Sequence, residues 1–185
     1  ICIDFSGDEF HLRGSSFAGV VNAIGTRVPS VIDPGYFSMA FKTVQELIRK
    51  DLILAGHDIS AGGFITALLE MTFGRNDTGL RIDLDCFEEK DIIRLLFSEK
   101  PGVIIVVKYR EKVSDILKNA GLNFHVIGSI VEGRTIEISH QKKAYTFDID
   151  ALRDTWYRTS YLLDRKQCGP RLAKVRFENY KAQGL

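Results

Sequence analysis

Residues Asp51 to Phe73 read DLILAGHDISAGGFITALLEMTF, and this stretch sets the architecture of the chain. The apolar run Leu52 to Ala55 stops at Gly56-His57-Asp58, and a run with helical apolar spacing (Phe64, Ile65, Leu68, Leu69, Thr72) starts just past Gly62-Gly63. The pattern predicts a strand entering a helix through a short polar turn that contains glycine. The opening N–H groups of such a helix have no partner within it, and with the aligned peptide dipoles they favour an anion. Gly62 and Gly63 let a phosphate approach the backbone, Asp58 offers a hard oxygen ligand suited to Mg²⁺, and Ser60 offers a hydroxyl to a phosphate or a helix end. Two readings are open on these residues: a Mg²⁺-nucleotide contact, or a capped strand-to-helix turn in which Asp58 and Ser60 serve only the helix. His57 taken alone reads as a packed, hydrogen-bonded ring.

Working outward, Ile1 to Phe5 reads as a strand, with a hairpin to His11-Leu12 across a Gly7-Asp8 turn. Gly14-Ser15-Ser16 opens a short helix that stops near Gly25; a serine cap and an anion contact assisted by Arg13 are both open there. Asp33-Pro34 is a helix start with Asp as N-cap and Pro at the first helical position. The amphipathic helix that follows, about Gly35 to Lys50, would turn Phe37, Phe41, Val44, Leu47 and Ile48 inward. Beyond the central stretch come a strand over Leu80 to Leu84 and a helix over Glu88 to Phe97. Val103 to Val107, an unbroken β-branched run, predicts a central strand covered on both faces, and Glu99 at its mouth reads as an exposed turn carboxylate, with a site residue as the alternative. A helix over Glu111 to Ala120 precedes strands over about Phe124 to Val131, Thr135 to Ser139 and Tyr145 to Ile149. The last helix begins near Asp150, and past Cys168-Gly169-Pro170 the chain reads as a polar, basic linker or docking arm. Strands and helices are mixed without a βαβα rhythm, which predicts an α/β (α+β) sandwich with a mixed sheet, helices on its faces and hairpins at its ends. The division expected is an α/β domain over residues 1–150 and a helix with a basic linker over 151–185.

The 185 residues, 45% hydrophobic and 26% charged, suit a globular domain with a sizeable core. A net charge of +1 gives no bulk affinity for nucleic acid or membrane, although the stretch from Arg153 onward carries eight Lys/Arg against three Asp/Glu. Three scattered cysteines, Cys2, Cys86 and Cys168, point to reduced thiols in the cytoplasm and to no zinc site. No apolar run reaches the ~18 to 20 residues of a membrane span. The chain starts at Ile1, within an apparent strand and without Met, as expected of a piece of a larger protein. No GxGxxG, GxxxxGK[ST], nucleophile elbow, His-Glu metal helix or paired-carboxylate arrangement is found.

IDFSGDEFHLRGSSFAGV, the Asp33-Pro34 helix, AGHDISAGGFITALLEMTFG, LFSEKPGVIIVV and DTWYRTSYLLDRKQCGP occur in this order. The series resembles the last synthetase-type domain of the large, single-chain phosphoribosylformylglycinamidine synthase family (formylglycinamide ribonucleotide amidotransferase), within the aminoimidazole ribonucleotide synthetase superfamily. HDxSxGG followed by LLEM is its specific piece. The resemblance implies a three-layer α/β/α fold and the C-terminal half of the second of two domain pairs. It also implies an ATP-dependent carbon–nitrogen ligase of purine biosynthesis that draws ammonia from glutamine. The implied roles are Mg²⁺ binding by Asp58 and ATP contact by Ser60, with Gly62 and Gly63 matching the motif; Gly14, Ser15 and Ser16 match a loop facing the substrate phosphate. Arg13 and Arg158 depart from the family's usual residues. The implied partners are the other ATP-binding synthetase domains and a glutaminase domain of the same enzyme. No catalytic residue is assigned in this stretch, and the segment alone is expected to be inactive because the other half of the site lies on other domains. Two alternatives are a structural or docking module with a non-catalytic nucleotide site, and another superfamily member such as a selenophosphate synthetase, which would lack a downstream glutaminase segment.

Overall fold

The computed structural model describes residues 1–23 and 25–179. Its centre is an antiparallel sheet in the order β2-β4-β1-β5, made of β1 (Cys2–Asp4), β2 (Ile53–Asp58), β4 (Gly102–Val107) and β5 (Phe124–His125). The β-branched run at Val103 to Val107 takes an interior position, as its composition predicts, between β2 and β1. Alternation along these strands splits the core in two. Ile1, Ile3 and Ile105 face one cluster, which Ala40, Val44 and Leu47 of helix α2 (Pro34–Arg49) and Val113 and Leu117 of helix α5 (Arg110–Asn119) complete. Cys2 and Ile104 face the other, built on helices α3 (Gly63–Thr72) and α4 (Ile92–Phe97). That is the expected α/β/α sandwich. Each fully buried side chain at its centre, such as Leu47 or Leu117, contributes about 1.5–3 kcal/mol of transfer free energy.

A second sheet covers the outer side of α3. It runs β6-β3-β7-β8, from β3 (Thr78–Asp83), β6 (Gly128–Glu132), β7 (Thr135–His140) and β8 (Lys143–Asp148), and the parallel pairing of β3 with β7 makes it the mixed sheet. The single strand expected over Phe124 to Val131 is two strands. β5 pairs with β1, whereas β6 pairs with β3; between them the carbonyl of buried Ile127 accepts from Asp83 N–H at 2.7 Å, so the chain changes sheet there.

Three other expectations are corrected. Residues His11-Leu12 form no strand, because Asp4 turns the chain beyond β1 by accepting from the N–H groups of Ser6 (2.9 Å) and Gly7 (3.3 Å). On α2, capped by Asp33 as predicted, the buried stripe is Ala40, Thr43, Val44 and Leu47; Phe37, Phe41 and Ile48 stay 36%, 49% and 52% exposed. The apolar face is wider than the sheet beneath it. Past Gly169 there is a helix where a linker was expected: α7 (Pro170–Asn179) folds back on α6 (Ile149–Cys168), with Ala173 buried and Asp164 bound to Arg176 at 2.9 Å. Cys168-Gly169-Pro170 ends one helix and starts another, with Pro at the first helical position. Trp156 and Tyr157 seat the root of this hairpin on Phe73, at ring separations of 5.7 and 6.3 Å. Residues 180–185 lie outside the described residues. The three cysteines are free thiols, and burial pushes the Cys2 thiol up to about 12.

Candidate functional site

The central stretch folds as its spacing predicts, except that the strand runs on through His57 and Asp58 before Ile59 N–H bonds to Gly102 carbonyl at 2.9 Å. Opposed residues of an antiparallel pair share a face. His57 lies opposite Ile104 and therefore faces α3, whereas Asp58 lies opposite Val103 and faces the side that carries α2. The Asp58 side chain is 78% exposed. It stands at the rim of a groove of about 550 Å³ between α2 and β2, with Phe37, Phe41, Ile48 and Val103 among its lining residues.

Neither Asp58 nor Ser60 caps α3. The N-cap is Gly62, at φ +86°, with no side-chain cap, so the helix-capping explanation of these two residues fails. Ser60 is exposed, and its carbonyl accepts from Gly63 N–H at 2.9 Å. Gly62 N–H donates to Oε1 of Glu99 at 2.8 Å. Both glycine N–H groups are therefore engaged within the chain, and what Gly62 and Gly63 give the turn here is its shape.

Glu99, which reads in the sequence first as an exposed turn carboxylate, joins the two turns. The same Oε1 accepts from Ser16 N–H at 2.7 Å, so one carboxylate ties the turn before α3 to the turn before α1 (Ser16–Val20). The two glycine-serine turns, about 45 residues apart in sequence, meet at this oxygen. Phe17 stacks on Phe97 at 4.8 Å beside it, and Lys100 binds Asp4 at 3.0 Å just beyond. Within the second turn Ser15 is buried and serves as the cap: its hydroxyl accepts from Ala18 N–H at 3.2 Å and donates to the Leu12 carbonyl. Gly14 (φ +77°) and Ser16 remain exposed. FSEKPG holds no local sign that Glu99 reaches residues 37 and 83 positions away, which is why it read as an idle turn carboxylate.

Partial burial alone would raise the pKa of Glu99, but the N–H groups of Ser16 and Gly62, with the Ser16 hydroxyl, outweigh it and hold the carboxyl below its ordinary value. A carboxyl depressed in the folded state adds stability above its unfolded pKa, and that stability is lost as pH falls through the folded value. Glu99→Gln is therefore expected to unfold more easily than the parent chain at pH 6 to 7. The gap should close below about pH 4, near the unperturbed range of Glu. Denaturant midpoints measured across this window check it; a gap independent of pH would contradict it.

His57 is clamped. Nδ1 donates to the Asp58 carbonyl at 2.7 Å, and Nε2 lies 3.0 Å from Oε2 of Glu70 on α3. A larger cavity of about 750 Å³ opens on the other side of β1, between β5 and the chain that follows β3. Phe10, Phe87, Lys100 and His125 line it, and burial, with Lys100 nearby, lowers the pKa of His125. Asp58 and Ser60 are not among its lining residues.

A family model described as AIR synthase related protein, C-terminal domain, matches residues 13–141. The chain belongs to this family. Over 176 residues this AIR synthase related domain is 31% identical to the phosphoribosylformylglycinamidine synthase of Homo sapiens, covering 91% of the chain and 13% of that protein. Over 172 residues it is 32% identical to the probable phosphoribosylformylglycinamidine synthase, chloroplastic/mitochondrial, of Arabidopsis thaliana, covering 89% of the chain and 12% of the relative. It thus spans only a small part of the curated relatives it matches. Among solved structures, phosphoribosylformylglycinamidine synthase II of Thermotoga maritima superposes with a TM-score of 0.60 at 19% identity, over 82% of the domain and 25% of that chain. T. maritima PurL complexed with ATP gives 0.59 at 19% identity, over 66% and 22%. These likenesses show the fold.

Among the described residues no cluster of three or more His, Cys, Asp or Glu could hold a metal by itself. Mg²⁺ usually takes one or two carboxylates together with waters and substrate phosphates. A single exposed Asp58 beside a hydroxyl-bearing turn fits that donor set.

Proposed function

We propose that this domain is part of a glutamine-dependent ATP ligase of the phosphoribosylformylglycinamidine synthase type, acting in the cytoplasm and contributing to an Mg-ATP site completed by other domains. In such an enzyme ATP phosphorylates the formyl-amide oxygen of formylglycinamide ribonucleotide, and ammonia released from glutamine displaces phosphate to give the amidine. When bound, Mg²⁺ neutralises charge on the transferring phosphoryl group. Asp58 would orient the metal, and Ser60 Oγ would donate to a nucleotide phosphate. Gly62 and Gly63 hold the turn that presents Ser60. The exposed Gly14-Ser16 turn, latched to the first by Glu99, would face the substrate phosphate, with Ser15 holding its shape. Residues 151–185, beginning with the α6–α7 hairpin, would lead towards a glutaminase domain. No nucleic-acid or membrane contact is proposed; among the described residues no helix is long and apolar enough to cross a membrane.

The observation that carries this reading is the exposure of Asp58 and Ser60 together, two residues apart, with neither used to cap the helix they precede. Its test is Ser60→Ala in the intact enzyme. A hydrogen bond to a charged group is worth about 1.5–3 kcal/mol, and 1.4 kcal/mol is tenfold in affinity. The KM for ATP is therefore expected to rise at least about tenfold, with kcat nearly unchanged if the bond forms equally in ground and transition states. An unchanged KM would remove Ser60 from the nucleotide site.

A further inference from the structure

We propose that His57 and Glu70 are positioning residues for Asp58: Glu70 holds the imidazole of His57, and the imidazole holds the backbone of Asp58 so that its carboxylate faces the groove. The inference rests on the reading of Asp58 as the residue that orients Mg²⁺.

The geometry runs in a line from helix to strand end. Glu70 lies on the half-buried flank of α3, with its side chain 24% exposed, and Oε2 is 3.0 Å from His57 Nε2. The ring, 28% exposed, turns its other nitrogen to the Asp58 carbonyl at 2.7 Å. A carbonyl oxygen only accepts, so Nδ1 carries the hydrogen and the ring is fixed by a contact on each side. Beyond that carbonyl, Ile59 N–H is bonded to Gly102. The peptide that follows Asp58 is thus pinned at both its oxygen and its nitrogen, although β2 is an edge strand with 63% of Leu54 exposed.

A partly exposed histidine–carboxylate contact of this kind contributes little stability, about 0–1 kcal/mol, so stability gives it no strong role. Metal ligation gives it one. Mg²⁺ demands near-ideal octahedral geometry, and partners behind a ligand change metal affinity by about 10–100-fold. Here the partner acts mainly on the ligand's backbone: Nδ1 also lies 3.8 Å from Asp58 Oδ1, but the carboxylate stays 78% exposed.

The test uses the intact enzyme, with Mn²⁺ as the probe and a non-hydrolysable ATP analogue present, metal binding being read by electron paramagnetic resonance. Glu70→Ala is expected to weaken Mn²⁺ about tenfold without changing affinity for the metal-free nucleotide. Glu70→Gln, whose amide oxygen can accept from the ring, is expected to restore most of it. His57→Asn keeps a donor near the Nδ1 position but does not reach Glu70, and is expected to match Glu70→Ala. Combining the two should weaken binding no further, since both remove one contact. Wild-type metal affinity in Glu70→Ala and His57→Asn, with Asp58→Asn defective, overturns the positioning role and leaves Asp58 in place. Wild-type affinity in Asp58→Asn as well overturns the underlying reading, and this inference with it.

Discussion

Gly63→Ala is expected to destabilise the domain by about 3 kcal/mol, the sum of two costs that the local structure does not let it avoid. The residue sits at φ +75°, where an L side chain costs roughly 1–2 kcal/mol. A Cβ built there would lie 2.8 Å from the carbonyl carbon of Phe97 and 2.9 Å from the carbonyl oxygen of Leu96, backbone atoms at the end of α4 that cannot rotate aside. Overpacking of that kind typically adds about 1–3 kcal/mol. Gly62 is the internal control. Its φ of +86° carries the same conformational cost, but the nearest atoms to a new Cβ belong to one side chain, Thr66, with Oγ1 at 2.3 Å and Cβ at 3.0 Å, and not to a second backbone. Gly62→Ala should therefore cost less, about 1–2 kcal/mol. Urea unfolding of the two variants beside the parent chain decides it. Equal costs, or a loss below about 0.5 kcal/mol for Gly63→Ala, the range of an ordinary surface change, would contradict the close approach of the two backbones.

The same turn explains what could be read from the sequence and what could not. Local signals carried far: Asp33-Pro34 marks a helix start because capping and proline geometry act within three residues, and Val103 to Val107 marks an interior strand because composition alone reports burial on two faces. Gly62-Gly63 before an apolar period of 3.6 marked the start of α3 to within one residue. Signals failed where the answer depends on what packs opposite. The aromatic stripe of α2 is wider than the sheet beneath it, so Phe37 and Phe41 remain outside the core. The chain from Phe124 to Val131 carries one strand-like pattern but serves two sheets, a choice made by its partners β1 and β3. Asp58 and Ser60 were legible as a candidate pair, and the structure removes the capping alternative. Glu99 was legible only as the less favoured of two readings, and Glu70 was not legible at all. Each acts at residues far along the chain, and a lone carboxylate in a turn or on a helix flank has no distinguishing spacing.

Asp58→Asn carries the largest expected functional effect. Asparagine keeps the shape of the side chain and loses the charge, and at 78% exposure the change should move stability by no more than about 0.5 kcal/mol. The catalytic loss should be far larger. Removing one preorganised electrostatic contact to a transferring group typically costs about 10²–10³ in kcat, or roughly 2.7–4 kcal/mol of barrier. A weakened metal ligand adds a second signature, a higher Mg²⁺ concentration at half-maximal rate, which a merely structural residue would not produce. The decisive measurement is ATP-dependent amidine formation by the intact enzyme carrying Asp58→Asn, as a function of Mg²⁺. The expected result is a rate lowered about 10²–10³-fold, with the Mg²⁺ requirement shifted upward, in a protein that unfolds like its parent. A parental rate and Mg²⁺ dependence would contradict the role given to Asp58 and would leave the domain as a structural or docking module.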